Sequence, residues 1–585
     1  MGVAPFSALL RWLASSRSAQ AASGSQYVPA PRDGSLTLPE VYNWHYQHNP
    51  HQRVFLWHDH TGPVHLTYSD VIPAAQRAAR YVAEAAGIEL VDDMTPAKLV
   101  VILAASDTVT YATTLIGLSL AGIPVFPITP RFSASVVSKL VAVSGACHIF
   151  VSGEAAIQEL AQEAVKVLSL SSDNTPGISI MPSYDDLYRV QSPLHPLPSR
   201  RYDPSALAII THSSGSTSFP KPIPWSVRCT SNYSIVDAAR DYVNEVTACP
   251  AIELFHAWGI MFLSFLPMTG YIMAVLPPSS PAVVPTADAV YQCMTECRAA
   301  YALAPPSLIT QWSCDLNRYP YLRQMKGIVY GGRFLSRPVG DLVVKNGVRL
   351  HTAYGTTETG LISTIFRATD DEDWEYFEIN SQLNGAILPN NDAEQSYRLV
   401  VTAGPTQALP VINSEIDGKD AHVPGDSLLP HPNKPGYWKV LGRVDDQIML
   451  STGEIVYPSS IESQLCQDER IKGAVMFGRG QSKVGVVIEL DYASAAKEGE
   501  HDCVIDIGDM VMPVVERVNA MSPPYARIDR RLTIFAHESK PFTYSLKGTP
   551  RRALVMKDYQ PEIEAAFQQY NAEASQTQSV PLIPL

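Results

Sequence analysis

The chain has 585 residues, 46% of them hydrophobic and only 17% charged, which allows several domain-sized units with real cores and excludes global disorder. Its 44 basic and 57 acidic residues leave a net charge of −13, which argues against a general nucleic-acid binder and against attachment to an anionic membrane surface. Eight cysteines without regular spacing make no disulfide framework and fit a reducing, cytoplasmic setting.

Residues 1–32 carry Arg11, Arg17 and Arg32, many Ser and Ala, and no acid before Asp33. They read as a flexible N-terminal segment, with an organelle transit peptide as the alternative. From Lys98 apolar runs alternate with amphipathic stretches. Leu99–Ala105 reads as a buried strand, Thr108–Ala121 as a helix, Pro124–Ile128 as a strand, Ser133–Ser144 as a helix and Cys147–Val151 as a strand. Similar strands are expected at Ala206–Thr211, Gly327–Tyr330 and Arg349–Tyr354. Fully apolar strands alternating with helices imply a mostly parallel sheet covered on both faces. Past Asp445 a smaller α+β pattern follows, with strands at Lys483–Leu490 and Arg531–Ala536 and a helix at Gly508–Ala520.

The fold class is therefore α/β: a large domain over 33–444 and a smaller, mobile α+β lobe over 445–570. Residues 571–585, polar and then Pro-punctuated, are expected to fray. No apolar run reaches the roughly 18–20 residues that cross a bilayer, so no membrane partner is expected.

Four segments carry chemistry. In ALAIITHSSGSTSFPK a strand runs into Ser213, Ser214, Gly215, Ser216 and Thr217, with Lys221 close behind. Small hydroxyl residues and glycine let N–H and O–H groups converge on phosphate oxygens, and the lysine adds a positive charge. The alternative is an ordinary polar turn, and a Walker-type loop is excluded because no glycine precedes Lys221. The second segment, Tyr354-Gly355-Thr356-Thr357-Glu358-Thr359-Gly360, follows a strand directly and so falls where open α/β sheets bind ligands. Glu358 suits a hard cation such as Mg²⁺ shared with phosphates; taken alone it would be a solvated glutamate. The third segment runs through Pro424-Gly425-Asp426 and Gly442-Arg443-Val444-Asp445-Asp446 to Gly453-Glu454, and the fourth is Lys547-Gly548-Thr549-Pro550-Arg551-Arg552.

In this order and spacing the four segments resemble the adenylate-forming superfamily: acyl- and aryl-CoA synthetases, adenylation domains of nonribosomal peptide synthetases (NRPS), and luciferases. The resemblance covers about Asn43 to Ala553. The form SSGSTSFPKPIP, FHAWG, YGTTETG, PGDSLLPHPNKPGYWKVLGRVDDQIMLSTGE and LKGTPRRA is most similar to the adenylation part of fungal NRPS-like enzymes and carboxylate reductases.

The resemblance implies that Ser213 to Lys221 cover the β- and γ-phosphates of ATP. Tyr354 would stack on adenine, with Gly331 and Gly332 of the GGRF turn lining the slot. Thr357 would touch the α-phosphate, Glu358 would hold Mg²⁺, and Asp426 and Arg443 would bind the ribose. Asp445 would be the interdomain hinge, and Lys547 would bridge the carboxylate and the α-phosphate. Ser218 stands where the family usually has glycine, and Pro424 where a hydroxyl residue is common.

Phe255-His256-Ala257-Trp258-Gly259 matches the FHxxG segment before the acyl pocket. Relatives that activate amino acids place an aspartate here to pair with the substrate ammonium, so His256 points to a carboxylic acid without an α-amino group. A core histidine is the alternative. About thirty residues follow the Lys547–Arg552 segment and no dinucleotide fingerprint is present, so the acyl group is expected to pass in trans to CoA or to the phosphopantetheine of a carrier protein. A non-catalytic relative is disfavoured because Lys547, Glu358, Asp426 and Arg443 occur together. Three other features are set aside: Gly425–Leu428 (GDSL) as a lipase or carrier serine, Cys293 and Cys297 as zinc ligands, and Asp370–Asp373 as anything but a solvated acidic loop.

Overall fold

The computed structural model describes residues 27–91, 97–170, 175–190, 195–212, 220–232, 242–365, 372–390, 395–404, 407–452, 454–492, 504–545 and 548–578. The phosphate-loop candidates Ser213 to Thr217 and the lysine Lys547 lie outside these residues.

Two sheets build the large lobe. The first has seven strands in the order Leu350–Ala353, Gly327–Gly331, Tyr301–Leu303, Val246–Ala248, Ile272–Ala274, Arg53–Asp59 and Gly62–Thr67, parallel except for the final hairpin. The second has six, in the order Gly177–Ile180, His148–Val151, Val100–Leu103, Val125–Ile128, Leu207–His212 and Pro222–Ser226, where only the last pair is antiparallel.

Each strand shows why its sequence is apolar throughout. Val100 and Ile102 face one core, shared with Phe55, Trp57 and the helices Tyr68–Ala86, Thr108–Ala121 and Ala257–Thr269. Val101 and Leu103 face another, with Val137, Leu140 and Ala161. Period-two alternation between two buried faces leaves no solvent side, the pattern of a parallel sheet wrapped by helices. The helix Ala257–Thr269 lies in the shared core, and Gly259 through Thr269 are all buried, so its apolar run is a core helix.

A third, antiparallel sheet joins Phe377–Glu378, Tyr437–Arg443, Asp426–Pro430, Tyr397–Thr402, Lys419–His422 and Ser414–Ile416, with Gly385–Pro389 also on Tyr397–Thr402. Beyond it the small lobe is a three-stranded sheet, Ile471–Phe477, Val484–Leu490 and Ile528–Phe535, with separate apolar clusters on its two faces. The helix Val504–Met521 contributes Val511, Val515 and Val518 to one of them.

Element types follow the sequence expectations, with ends displaced by a residue or a few. Three expectations are corrected. Residues 27–32 are docked rather than flexible, because the Asn49 side chain takes the Val28 N–H at 2.8 Å and donates to the Val28 carbonyl at 2.7 Å, as a neighbouring strand would. The final helix runs Gln560–Gln578, so order continues past 571. Asp373 is no solvated acid: His431 and Lys434 approach its carboxylate at 3.0 and 2.6 Å and, with burial pushing the other way, their hydrogen bonds hold it below the usual range.

Candidate functional site

The strands Gly327–Gly331 and Leu350–Ala353 end side by side, with Gly331 opposite Ala353. Ligand groups collect at this carboxyl end of a parallel sheet. Tyr354 comes next, and the chain then folds back on itself, Gly355 pairing with Leu361 and Thr356 with Gly360. The turn therefore carries Thr357 and Glu358, both half-buried, and Thr356 Oγ1 is 2.9 Å from Thr359 Oγ1.

Tyr354 is buried, its ring centroid 5.0 Å from that of Phe377, and its hydroxyl donates to Asp426 Oδ2 at 2.7 Å. Asp426 opens its strand directly opposite Arg443 on the neighbouring one. Burial pushes the Asp426 carboxyl up, against the pull of the Tyr354 hydrogen bond and of Arg443, while the nearby Glu358 charge pushes the same way as burial. Arg443 is shifted upward because the charges of Asp426, Asp445 and Asp446 outweigh its own desolvation. Tyr354, Asp426 and Arg443, spread over ninety residues of sequence, are thus brought together, with Glu358 close enough to be felt. A carboxylate and a guanidinium presented together suit a polyol, and a second half-buried carboxylate suits a hard cation.

The turn is tied to the second sheet. Trp225, fully buried on the strand Pro222–Ser226, donates its indole N–H to the Thr357 carbonyl at 2.9 Å. That strand pairs with Leu207–His212, His212 opposite Pro222, so the two strands between which segment 213–221 falls in the sequence are anchored beside Thr357. Lys221 is exposed just before the strand begins.

The third group gathers at the start of the helix Ala257–Thr269, where His256 is the N-cap residue. Gly259 is required there: a Cβ would stand 2.4 Å from the Glu253 carbonyl oxygen. His256 Nε2 lies 3.3 Å from Glu253 Oε2, and Arg131 pairs with the same glutamate. The Arg131 guanidinium stands over the Phe255 ring, 5.8 Å from its centroid. Burial pushes Glu253 up, but the His256 hydrogen bond and the Arg131 charge hold it below the ordinary glutamate value. The rings of His256 and His212 meet edge to face with centroids 5.7 Å apart, so this group adjoins the entrance to segment 213–221. It also adjoins the first group: a Cβ at Gly331 would lie 2.7 Å from the Ala353 carbonyl and 3.1 Å from the Trp258 ring. Trp258 is therefore wall as well as core.

The small lobe begins at Asp445, which is exposed and accepts from Arg443 Nη2 at 3.3 Å. The next residue, Asp446, lies 3.5 Å from Arg552 Nε, and Arg552 grips Glu462 with bonds of 2.5 and 2.6 Å. Arg552 belongs to the fourth motif. The flanks of that motif close on each other, with Tyr544 bridged to Pro550 and the Arg551 N–H on the Thr543 carbonyl at 2.7 Å. A buried carboxylate fixes the base: Glu489 takes the Phe542 N–H at 2.8 Å and the Tyr544 hydroxyl at 3.0 Å, and meets Lys472 at 2.6 Å.

Ser427 of GDSL is fully buried and receives hydrogen bonds from Asn390 and Gln447, which leaves it no route to act as a nucleophile or an attachment point. Cys293 and Cys297 are both buried, and no cluster of metal-ligating residues occurs among the described residues. Sequence reasoning missed Trp225, Glu253, Arg131 and Glu489. Only Glu253, three residues before His256, carried a local signal.

Comparison with known proteins gives the family of the chain. A model described as AMP-binding enzyme matches residues 43–394, and one described as AMP-binding enzyme C-terminal domain matches residues 445–571. The chain belongs to the AMP-binding enzyme family, the adenylate-forming superfamily, and is an adenylate-forming domain.

Within that family it is similar to adenylate-forming reductase Nps10 of Heterobasidion annosum, 34% identical over 93% of this chain and 51% of that protein. The chain thus spans about half the length of the curated relatives it matches. Its fold is shared with the A domain of a carboxylic acid reductase from Segniliparus rugosus, solved with AMP and a co-purified carboxylic acid. The TM-score is 0.66 at 13% identity, over 92% of this chain and 94% of that one. The A-PCP didomain of carboxylic acid reductase from the same organism, in complex with AMP, matches with a TM-score of 0.67 at 16% identity, over 97% and 88%. No helix among the described residues is long and apolar enough to cross a membrane.

Proposed function

We propose that the chain activates a carboxylic acid lacking an α-amino group (aryl, keto or acyl) with ATP, releasing pyrophosphate and forming an acyl-adenylate. The acyl group then passes to a thiol. The single observation carrying the nucleotide half is the Tyr354–Asp426–Arg443 group beside the Thr357–Glu358 turn.

In this reading Asp426 and Arg443 take the ribose hydroxyls, while Tyr354 and the Gly331–Gly332 turn border the adenine. Segment 213–217 with Lys221 covers the outer phosphates, and Thr357 meets the α-phosphate. Glu358, a half-buried carboxylate beside the turn, is the Mg²⁺ ligand; the bound ion supplies charge neutralisation along the phosphate chain.

The substrate carboxylate attacks the α-phosphorus, the bond to the bridging oxygen breaks, and pyrophosphate leaves with that electron pair. Negative charge crowds at one point, so a preorganised cation, Lys547, is worth most in the transition state. The acid lies by His256, whose imidazole is oriented by Glu253. The small lobe, 445–570, turns about Asp445 between the two half-reactions. The thiol is the phosphopantetheine of a carrier protein, a reading favoured by the half-length match to reductases and by the A-PCP neighbour; free CoA is the alternative.

The test is pyrophosphate release by the purified chain with ATP, Mg²⁺ and panels of aryl, keto, fatty and amino acids. Release is expected with one class of non-amino acid and is expected to fall about 10²–10³-fold in Lys547→Ala. Release with amino acids alone would refute the assignment of His256.

A further inference from the structure

One cation beside the Gly331–Gly332 turn has no acid partner among the described residues. Arg333 follows the Gly331–Gly332 turn at the carboxyl end of its strand, the end at which the nucleotide group is assembled. Among the described residues it makes no ion pair and no side-chain hydrogen bond. Acids are not scarce nearby: Arg337, four residues on, reaches Asp341 at 3.7 Å and Glu375 at 3.9 Å.

Across from Arg333 stands the small lobe. A Cβ built at Gly548 would lie 3.6 Å from Arg333 Nη2 and 4.0 Å from Nη1, and Gly548 directly follows Lys547. Arg333 is exposed, yet its surroundings, Gly548 among them, strip enough of its hydration to draw its pKa down to about 10. Arg443 shows the opposite balance, since three aspartates more than offset its burial. A partly desolvated cation with no acid partner among the described residues is unfavourable until an anion enters. A planar guanidinium fork matches phosphate oxygens, and its position beyond the Gly331–Gly332 turn puts it on the nucleotide side of the cleft.

We propose that Arg333 is a phosphate-binding residue for the nucleotide, holding the phosphate chain from the large lobe opposite the Lys547 loop. This rests on the adenylate-forming reading above. It explains why the GGRF turn carries an unbalanced charge where Gly548 approaches it.

The experiment is titration calorimetry of the full chain with ATP–Mg²⁺, AMP and inorganic pyrophosphate, for the wild type, Arg333→Gln and Arg333→Lys. Arg333→Gln should weaken ATP binding about 10–100-fold, the range for losing a charge-assisted hydrogen bond, with Arg333→Lys recovering part of it. Ligand-free melting temperatures should differ little, because Arg333 makes no ion pair and no side-chain hydrogen bond among the described residues. Equal weakening of AMP assigns the α-phosphate, whereas weakening of ATP and pyrophosphate alone assigns the outer phosphates. Wild-type affinity for all three in Arg333→Gln overturns the proposal. A wild-type chain that binds ATP but releases no pyrophosphate with any acid would refute the activity and leave the phosphate contact standing.

Discussion

Asp426 and Glu253 are acids of two neighbouring groups, and burial acts on both in the same direction with opposite results. At Asp426 burial wins: a phenol hydroxyl and one guanidinium leave the carboxyl shifted upward. At Glu253 an imidazole and a guanidinium reverse the effect of burial, and the carboxyl is shifted downward. The Asp426 group, proposed for the nucleotide, is therefore under-satisfied and has hydrogen-bonding capacity to offer a ligand, whereas Glu253, beside the proposed acyl pocket, is already charge-paired and acts as a fixed wall. An acid that resists ionisation in the empty protein is a cost that binding can relieve. One that is locked into a pair contributes geometry.

The sharpest way to break the contrast is Asp426→Asn. A raised carboxyl pKa means that the folded protein loses stability as pH climbs past the unfolded carboxylate value toward the folded one. Removing that charge should leave the ligand-free melting temperature at pH 7 equal to the wild type or higher. The same change should raise the KM for ATP about 10–100-fold by removing the charged acceptor proposed for the ribose. A destabilised variant with normal KM would reverse the roles assigned to the two groups.

Glu253→Gln should do the opposite, at smaller amplitude. The folded-state pKa is depressed, so the pairing contributes stability above the unfolded value of about 4.3 and loses it as pH falls through the lower folded value. Melting curves for wild type and variant should therefore be furthest apart near neutral pH and converge in acid. Loss of the pairing also frees the His256 ring, so the KM for the acid should rise by about tenfold or less while the KM for ATP stays fixed, since Arg131 is largely solvated. Curves separated by a constant gap at every pH would mean that the pair contributes packing rather than charge.

The contrast also shows what a sequence makes legible. The parallel α/β body could be read because strands such as Val100–Leu103 are buried on both faces and carry no polar positions. The Tyr354–Asp426–Arg443 group could be picked out because each residue sits in a short, ordered motif, even though their meeting depends on a third sheet that periodicity did not reveal. Strands of two or three residues, such as Phe377–Glu378, give no period to detect. Arg131 could not be tied to Glu253 across more than a hundred residues, and Trp225 looked like any core tryptophan. Docking of residues 27–32 was hidden for the same reason, since it depends on distant partners such as Asn49, His45 and Met268.

Trp225→Phe makes the smallest and most discriminating change, because it asks whether the Thr357 turn is held by its own backbone or from outside. The turn has two backbone-paired positions of its own, Gly355 with Leu361 and Thr356 with Gly360. The indole adds one bond of 2.9 Å from a fully buried ring. Losing that bond costs about 1 kcal/mol, and the smaller ring adds a partial cavity, so a total destabilisation of about 2 kcal/mol is expected from chemical denaturation. If the indole also sets the height of Thr357, pyrophosphate release should slow a few-fold at saturating ATP with little change in KM, because misplacement at the α-phosphate affects the transition state more than the ground state. An unchanged rate with the full stability loss would show that the short ladder suffices to place Thr357. Trp225 would then belong with the charge-paired Glu253 wall, as scaffold.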